Sequence, residues 1–547
     1  MIPEQVTSAY LTDESGRRTR DSLLIFTVAL LLFTVGLNPE FIGFQSHFGL
    51  FAQEMFRYGP SFFPTTYQNP YPDYPGTSTF LIYLVSKLVG EVSTFSAILP
   101  TAVTSALILV LTYRIGAIRS RRWGLAAVLL ALFTVRFFNE SRSIALDQYT
   151  SLATVLSFYL VYSATFYGRD TRLVLLPVVW FLGFAFRGPI GMVIPAAVVR
   201  CYYLWSAKYK RLMLAGMVAA VVPALGFACL LLAAKLQGGE PLAQSVLGAQ
   251  MSGRMHDKGP DYAYYWLRGF TSYAPAYPLA IIVVISHFKD ILDRKNDDDI
   301  LLGSLACWIL IVLAGMSIPS VKKARYILPI VPALSLAASY VLIDTTPKRI
   351  LFEVKKICLS ICSSLPLAGA AAILGILLFG KYFSLSANAY FLFALVLLIG
   401  LVIIARTLDK RLRGRPNQDM VAAAIGVSAF IIVNIGVAQP VNQILESARP
   451  FAEQVKLLEK ERSGNIVFYQ IGPDTEDIKF MVNYDKPITP FFIKSPDELL
   501  QCPKTSYFIT MKQSFDNLPD DLKKQIKLCI NGRMGHRDSV VFTLEQS

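Results

Sequence analysis

Charge is what this sequence is short of. Only 16% of its 547 residues are Asp, Glu, Lys or Arg, where soluble globular proteins carry roughly 25%. A soluble chain of this length folds as about three or four domains, and so few charges cannot cover their surfaces. Cysteine is scarce too. There are seven, with no Cys-x-x-Cys and no Cys/His metal spacing, which excludes a disulfide scaffold. Disorder requires high charge and low hydrophobicity, and this chain has neither. No internal repeat is visible, which argues against a transporter built from inverted halves.

What the sequence has instead is apolar residues, 54% of the total, with a mean hydropathy of +0.47. This composition implies a polytopic α-helical membrane protein. The net charge of +14 comes from short basic clusters between apolar runs. That placement fits membrane orientation rather than a nucleic-acid partner.

About thirteen apolar runs are long enough to be transmembrane helices: 21–37, 96–118, 122–138, 146–167, 172–186, 188–206, 211–234, 272–287, 300–317, 326–343, 357–379, 386–405 and 420–437. The first follows Arg17, Arg18 and Arg20 and is read as an uncleaved first helix. With a cytoplasmic N-terminus, every inner loop carries bases, among them Arg119, Arg121 and Arg122, then Lys208, Lys210 and Arg211, then Lys410, Arg411 and Arg413. This obeys the positive-inside rule.

An odd number of spans puts the tail outside. Residues 1–437 are thus expected to form a membrane domain, with 38–78 as its first outer loop, and 438–547 a small extracytoplasmic α/β domain. Segments 465–471, 506–512 and 540–544 look like strands. Segment 449–462 looks like a helix, with 520–530 a candidate second one. Cys502 and Cys529 lie in this tail and are expected to pair outside the cytosol. The other five cysteines, in or beside apolar runs, are packing residues.

Chemistry is expected in the outer loops. In the first, Phe41, Phe44, Phe48, Phe51 and Phe56 recur every three to five residues, as in an interfacial amphipathic helix. The plain alternative is an aromatic belt. In NESRSIALDQYT (139–150), Asp147 stands at the lip of an apolar run, with Arg142 as its simplest partner; such groups face a cavity or a counter-ion. In SIPSVKKARYILPIVPAL (317–334), Lys322, Lys323 and Arg325 cluster on the outer side, against the charge rule. A phosphate ligand would account for them, as would lipid headgroups. Arg187 in FRGPIG (186–191) is a similar outer base. The loop around 256–261 holds His256, Asp257 and Asp261, beside an aromatic group that includes Tyr265. A divalent metal is possible, but the outer-loop acids form no Asp-x-Asp pair.

Together these segments resemble the GT-C membrane glycosyltransferases, in particular the group of the lipid A aminoarabinose transferase and the protein O-mannosyltransferases. RSIALDQYTSLATVLSFYLVY (142–162) is similar to the family's Arg…Leu-Asp segment, FRGPIGMVIPA to its Lys-Gly-Pro segment, 317–334 to its Ser-x-Pro…Lys…Tyr-x-Leu-Pro segment, and FQSHFGLFAQEM (44–55) to its first-loop motif. The family's Asp-Glu pair is replaced by Phe44 and Gln45, its Lys-Pro-Pro lysine by Tyr74, and its Lys-Gly-Pro lysine by Arg187.

The resemblance implies transfer of a sugar from a polyprenyl-phosphate donor to a lipid A, lipopolysaccharide or related glycan acceptor at the outer face of a bacterial inner membrane. Transfer to protein, and lipid binding without turnover, are the alternatives. A leaving phosphate needs cations, for which Lys322, Lys323, Arg325, Arg187 and Arg142 are the candidates. A hydroxyl acceptor needs a carboxylate base, for which Asp147 comes first and Glu40 and Asp73 follow. His47, Glu54, Tyr74, Tyr326 and Tyr265 are expected to touch substrate.

Overall fold

The computed structural model describes residues 4–251, 261–344, 347–379, 389–412, 414–415, 417–503 and 505–544. The chain forms two compact units, one of residues 1–35, 72–78 and 98–437, the other of 36–71, 79–97 and 438–547.

The first unit is helical. Among the described residues, seven helices are long and apolar enough to cross a membrane, and nine if each of two bent pairs counts as one span. This is a polytopic membrane protein. The two pairs bend by 77° between Phe133 and Val135 and by 114° between Ser272 and Ala276. Their breaks meet, since Val135 N donates to Ala274 O at 3.3 Å, and Thr134 Oγ1 returns a bond to Leu130 O at 2.8 Å. An unsatisfied backbone group costs several kcal/mol in hydrocarbon, so Ala274 O supplies the partner of Val135 N at the first break, and the Thr134 hydroxyl bonds back to its own helix. The expected 211–234 run lies in a longer helix, Tyr209–Met251, whose backbone leaves helical values at Gly238 and Gly239.

The helices Leu176–Arg187 and Pro189–Trp205 form a hairpin turned at Gly188, where φ is +67°. Gly183 and Gly191 let its arms touch: a Cβ on Gly191 would lie 2.0 Å from Gly183 O, and one on Gly183 2.2 Å from Gly191 O. Small residues permit such backbone approach in membrane helices.

In the second unit, strands β1 (Thr65–Thr66) and β2 (Asn69–Pro70) form a hairpin. Strands β3 (Ile466–Tyr469), β4 (Phe491–Ile493), β5 (Tyr507–Met511), β6 (Ile526–Met534) and β7 (Arg537–Leu544) form a sheet in the order β4-β3-β5-β7-β6. The β3 pairs with β4 and β5 are parallel and the remaining pairs are antiparallel. The expected strands are present, as is the Arg449–Glu461 helix. The expected 520–530 helix is confined to Asp520–Lys523, and β6 replaces the rest. The reason is periodicity: Ile526, Leu528 and Ile530 alternate, the spacing of a strand. Cys502 and Cys529 do not pair. Cys502 packs against the sheet's core and Cys529 sits on β6 with its sulfur 3.8 Å from Thr543 Oγ1.

The phenylalanine-rich loop forms the helix Gln45–Tyr58, but not as an interfacial one. Phe48, Leu50, Phe51 and Met55 are buried within this unit. Gln53 Nε2 donates to Val482 O at 3.0 Å. The apolar face is covered by the Asp477–Tyr484 helix rather than by lipid. Beneath it, Tyr67 OH donates to Asp477 Oδ2 at 2.6 Å, and Thr475 N to Oδ1 at 2.7 Å.

Burial pushes the Asp477 carboxyl up from 3.8 to about 6. The folded state therefore holds this proton more tightly than the unfolded state, so stability falls as pH rises through that window, and the penalty is complete above it. Asp477→Asn should remove this slope. In thermal unfolding, its Tm relative to wild type is expected to rise between pH 3 and pH 7, by the equivalent of about 3 kcal/mol. A Tm difference that does not change with pH contradicts the assignment.

Candidate active site

Asp147 opens the Leu146–Tyr167 helix and is buried. A helix N-terminus favours a carboxylate, and here two guanidiniums join it. Arg187 Nε donates to Oδ1 at 2.9 Å, and Arg325 Nε lies 3.3 Å from Oδ2. Each oxygen of Asp147 thus has its own arginine. Arg187 is 2% exposed at its side chain, Arg325 12%, so Arg325 is the one with access to a ligand.

Local sequence explains this convergence. Arg187 is the last residue of its helix because Gly188 and Pro189 turn the chain there. Arg325 opens a 3₁₀ segment, Ala324–Ile330, directly before the next apolar helix. The Arg187 guanidinium lies 5.6 Å from the ring centre of Tyr74 and 5.4 Å from that of Tyr326, a cation held between aromatic faces. Tyr74 belongs to the 72–78 segment, which Thr77 Oγ1 ties to Ala185 O at 2.8 Å and Gln250 Nε2 ties through Asp73 O at 3.0 Å. Burial raises the Tyr74 phenol above its ordinary range, so it stays a donor at neutral pH.

Lys322 has a second role. Its Nζ donates to Met316 O at 3.2 Å and Ser317 O at 2.5 Å, at the end of the Asp297–Ser317 helix, as a cation does at a helix C-terminus. It also stands 5.4 Å from the centre of the Tyr265 ring. Tyr265 OH reaches Lys323 O at 3.4 Å, and Tyr273 OH donates to Ala324 O at 2.7 Å. These tyrosines fix the backbone that carries Lys323 and Arg325.

Other expected residues lie elsewhere. Arg142 donates through Nη1 to Leu32 O, near the end of the Glu4–Thr34 helix. A guanidinium that closes a helix end is placed to hold that helix rather than to pair with Asp147, which corrects the expected partnership. Glu40, Glu54 and His47 belong to the second unit. Glu40 accepts from Arg449 N at 3.2 Å. Glu54 accepts from Tyr67 N and Gln68 N, the two positive-φ residues of the β1–β2 turn. His47 Nε2 contacts Asp474 O at 3.2 Å. Asp73 has an exposed side chain. His256 and Asp257 lie outside the described residues. Among the described residues, no three His, Cys, Asp or Glu side chains could hold a metal ion, and no step is assigned to one.

The sequence reading passed over Glu140, Arg136 and Tyr273. Glu140 is 8% exposed and pairs with Arg136 at 2.8 Å. The Tyr273 hydroxyl feels the charges of Arg136, Glu140 and Asp147. The available signal was an acid and a base inside an apolar run, which is costly unless paired.

Two arginines against one carboxylate leave a buried positive charge with aromatic walls, an arrangement suited to a phosphate. Residues 73–233 match the dolichyl-phosphate-mannose-protein mannosyltransferase family model. The chain is 25% identical over 358 residues to the undecaprenyl phosphate-alpha-4-amino-4-deoxy-L-arabinose arabinosyl transferase of Pseudomonas savastanoi pv. phaseolicola (strain 1448A / Race 6). That match takes in 60% of this chain and 62% of the relative, less than two thirds of its length. The crystal structure of ArnT from Cupriavidus metallidurans bound to undecaprenyl phosphate superposes with a TM-score of 0.68 at 15% identity, over 95% of this chain and 97% of that one. Its apo form gives the same score, over 96% and 98%. The chain therefore has the GT-C fold seen in these structures, and the 73–233 stretch that matches the family model contains Tyr74, Asp147 and Arg187.

Proposed function

We propose that this protein is an integral membrane glycosyltransferase that moves a sugar from a polyprenyl-phosphate donor to a lipid A, lipopolysaccharide or related glycan acceptor. The observation that carries this is the buried Asp147–Arg187–Arg325 cluster in a fold shared with a transferase crystallised with undecaprenyl phosphate. As the bond from sugar to phosphate breaks, negative charge grows on the phosphate. Arg325, the more accessible arginine, meets that charge; Asp147 and Arg187 hold it in place. Such preorganised cations lower the barrier without reorganising. Lys322 and Lys323 add to the local positive potential.

The reading includes thirteen membrane crossings, a cytoplasmic N-terminus and a periplasmic 438–547 domain, supported by the basic inner loops. The expected runs 122–138 and 272–287 overlap the two bent pairs, and 172–186 and 188–206 the glycine-packed hairpin; residues 386–388 lie outside the described residues. The membrane is the bacterial inner membrane. A second reading, transfer to protein, is favoured by the match of 73–233 to a protein mannosyltransferase family.

Native mass spectrometry of the purified protein with undecaprenyl phosphate tests the donor site. Arg325→Ala is expected to weaken binding at least tenfold, the order of one charge-assisted phosphate contact. Unchanged affinity would remove Arg325 from the donor site.

A further inference from the structure

If Asp147 organises arginines, the acceptor's proton needs another carboxylate. Both Asp147 oxygens face guanidiniums. Glu54 gives both oxygens, and Glu40 one, to backbone amides in the second unit. Glu140 differs. It sits in the Val135–Ser141 helix, the second part of a broken apolar pair. Its Oε1 pairs with Arg136 Nη2 at 2.8 Å, while no described residue donates a hydrogen bond to its Oε2. Its side chain keeps 11% exposure, enough for a ligand to touch. The Val135–Ser141 helix packs against the Ala324–Ile330 segment that carries Arg325. Arg136 Nε is buried without a hydrogen-bond partner, and the ion pair of this guanidinium runs through Nη2 to Glu140. Burial of an acid in an apolar run is expensive and marks a functional position by default.

We propose that Glu140 is the proton acceptor for a hydroxyl-bearing acceptor at this site. This deepens the transferase reading and rests on it. The acceptor O–H gives its proton to Glu140 Oε2. Its oxygen lone pair forms the new bond to the sugar's anomeric carbon. The bond from that carbon to the donor phosphate oxygen breaks, and its electron pair leaves on the phosphate beside Arg325. Arg136 keeps the Glu140 carboxylate oriented, and Asp147 keeps Arg325 oriented. Two buried acids thus divide the work, one tied to cations and one with an oxygen to spare. This carboxylate enters from just past the end of the third apolar run, 122–138, rather than from the first loop, where Phe44 and Gln45 stand.

The test uses cells that lack the gene, complemented with wild type, Glu140→Gln or Glu140→Asp, and reads the glycosyl increment on envelope lipids and glycans by mass spectrometry. In parallel, purified wild type and Glu140→Gln are tested for binding of undecaprenyl phosphate. The expected result is a loss of the increment of at least about a hundredfold in Glu140→Gln, partial recovery in Glu140→Asp, and undecaprenyl phosphate affinity within about twofold of wild type. Retention of the increment by Glu140→Gln overturns the proposal. Loss of undecaprenyl phosphate binding together with the increment also overturns it, in favour of a structural or donor-binding role. If wild type itself produces no increment, the transferase reading fails and the role of Glu140 falls with it.

Discussion

Asp147→Asn is expected to abolish transfer while leaving a folded but weakened protein. Asparagine has the shape of aspartate, so packing changes little. The charge does not survive: Arg187 and Arg325 then face each other without their shared anion. Breaking a buried ion pair on one side costs about 3–5 kcal/mol, and Arg187, buried between two tyrosine rings, has no water to turn to. The variant should melt several degrees lower than wild type. Repulsion also frees Arg325 from its set position, so the phosphate loses a preorganised donor, worth about a hundred- to a thousandfold in rate. The check is product formation normalised to protein in the membrane, with the melting temperature recorded on the same samples. Near-wild-type turnover in a variant that melts early would make Asp147 a purely structural anchor.

The second large effect is expected from a single methyl group. In Gly191→Ala the new Cβ falls 2.0 Å from Gly183 O, a backbone atom that cannot swing away. The hairpin arms must separate, and Arg187, the last residue before the turn, moves with them. A displacement of about 1 Å at a catalytic constellation can cost about a hundredfold. Overpacking adds about 1–3 kcal/mol of instability. Gly216→Ala is a fair control, since nothing lies within 4 Å of a Cβ there. Activity equal to that control in Gly191→Ala would show that the hairpin does not set the position of Arg187.

Much of the architecture was legible because membrane physics writes it plainly. Long apolar runs mark helices, and short basic clusters mark the loops between them. The broken spans at Thr134 and Ser272–Pro275 were not legible as breaks, since hydropathy records composition and not backbone direction. The helix Gln45–Tyr58 was readable from its phenylalanine spacing, but what covers that face was not. A periodic apolar stripe says that something must bury it, and the Asp477–Tyr484 helix, more than four hundred residues later, does so.

The site divides the same way. Arg187 and Arg325 stood out because the charge rule does not expect bases in the loops that the sequence reading placed outside. Their meeting at Asp147 depends on tertiary packing, with sequence separations of 40 and 178 residues. Asp147 was readable as an ionisable group at the edge of an apolar run, though its nearest sequence neighbour, Arg142, serves a different helix. Glu40 and Glu54 looked like replacements for a missing acid pair, but backbone amides occupy them. Glu140 went unnoticed although the rule that flagged Asp147 applies to it equally.

The central claim is that the Asp147 cluster serves glycosyl transfer from a lipid phosphate. Mass spectrometry of envelope lipids and glycans tests it most directly, in cells lacking the gene and in the same cells carrying wild type or Asp147→Asn. The account predicts that one glycosyl increment disappears with the gene, returns with wild type and stays absent with Asp147→Asn; its mass then names the sugar and its carrier the acceptor. An unchanged envelope in the deletion strain, or full restoration by Asp147→Asn, would contradict the account.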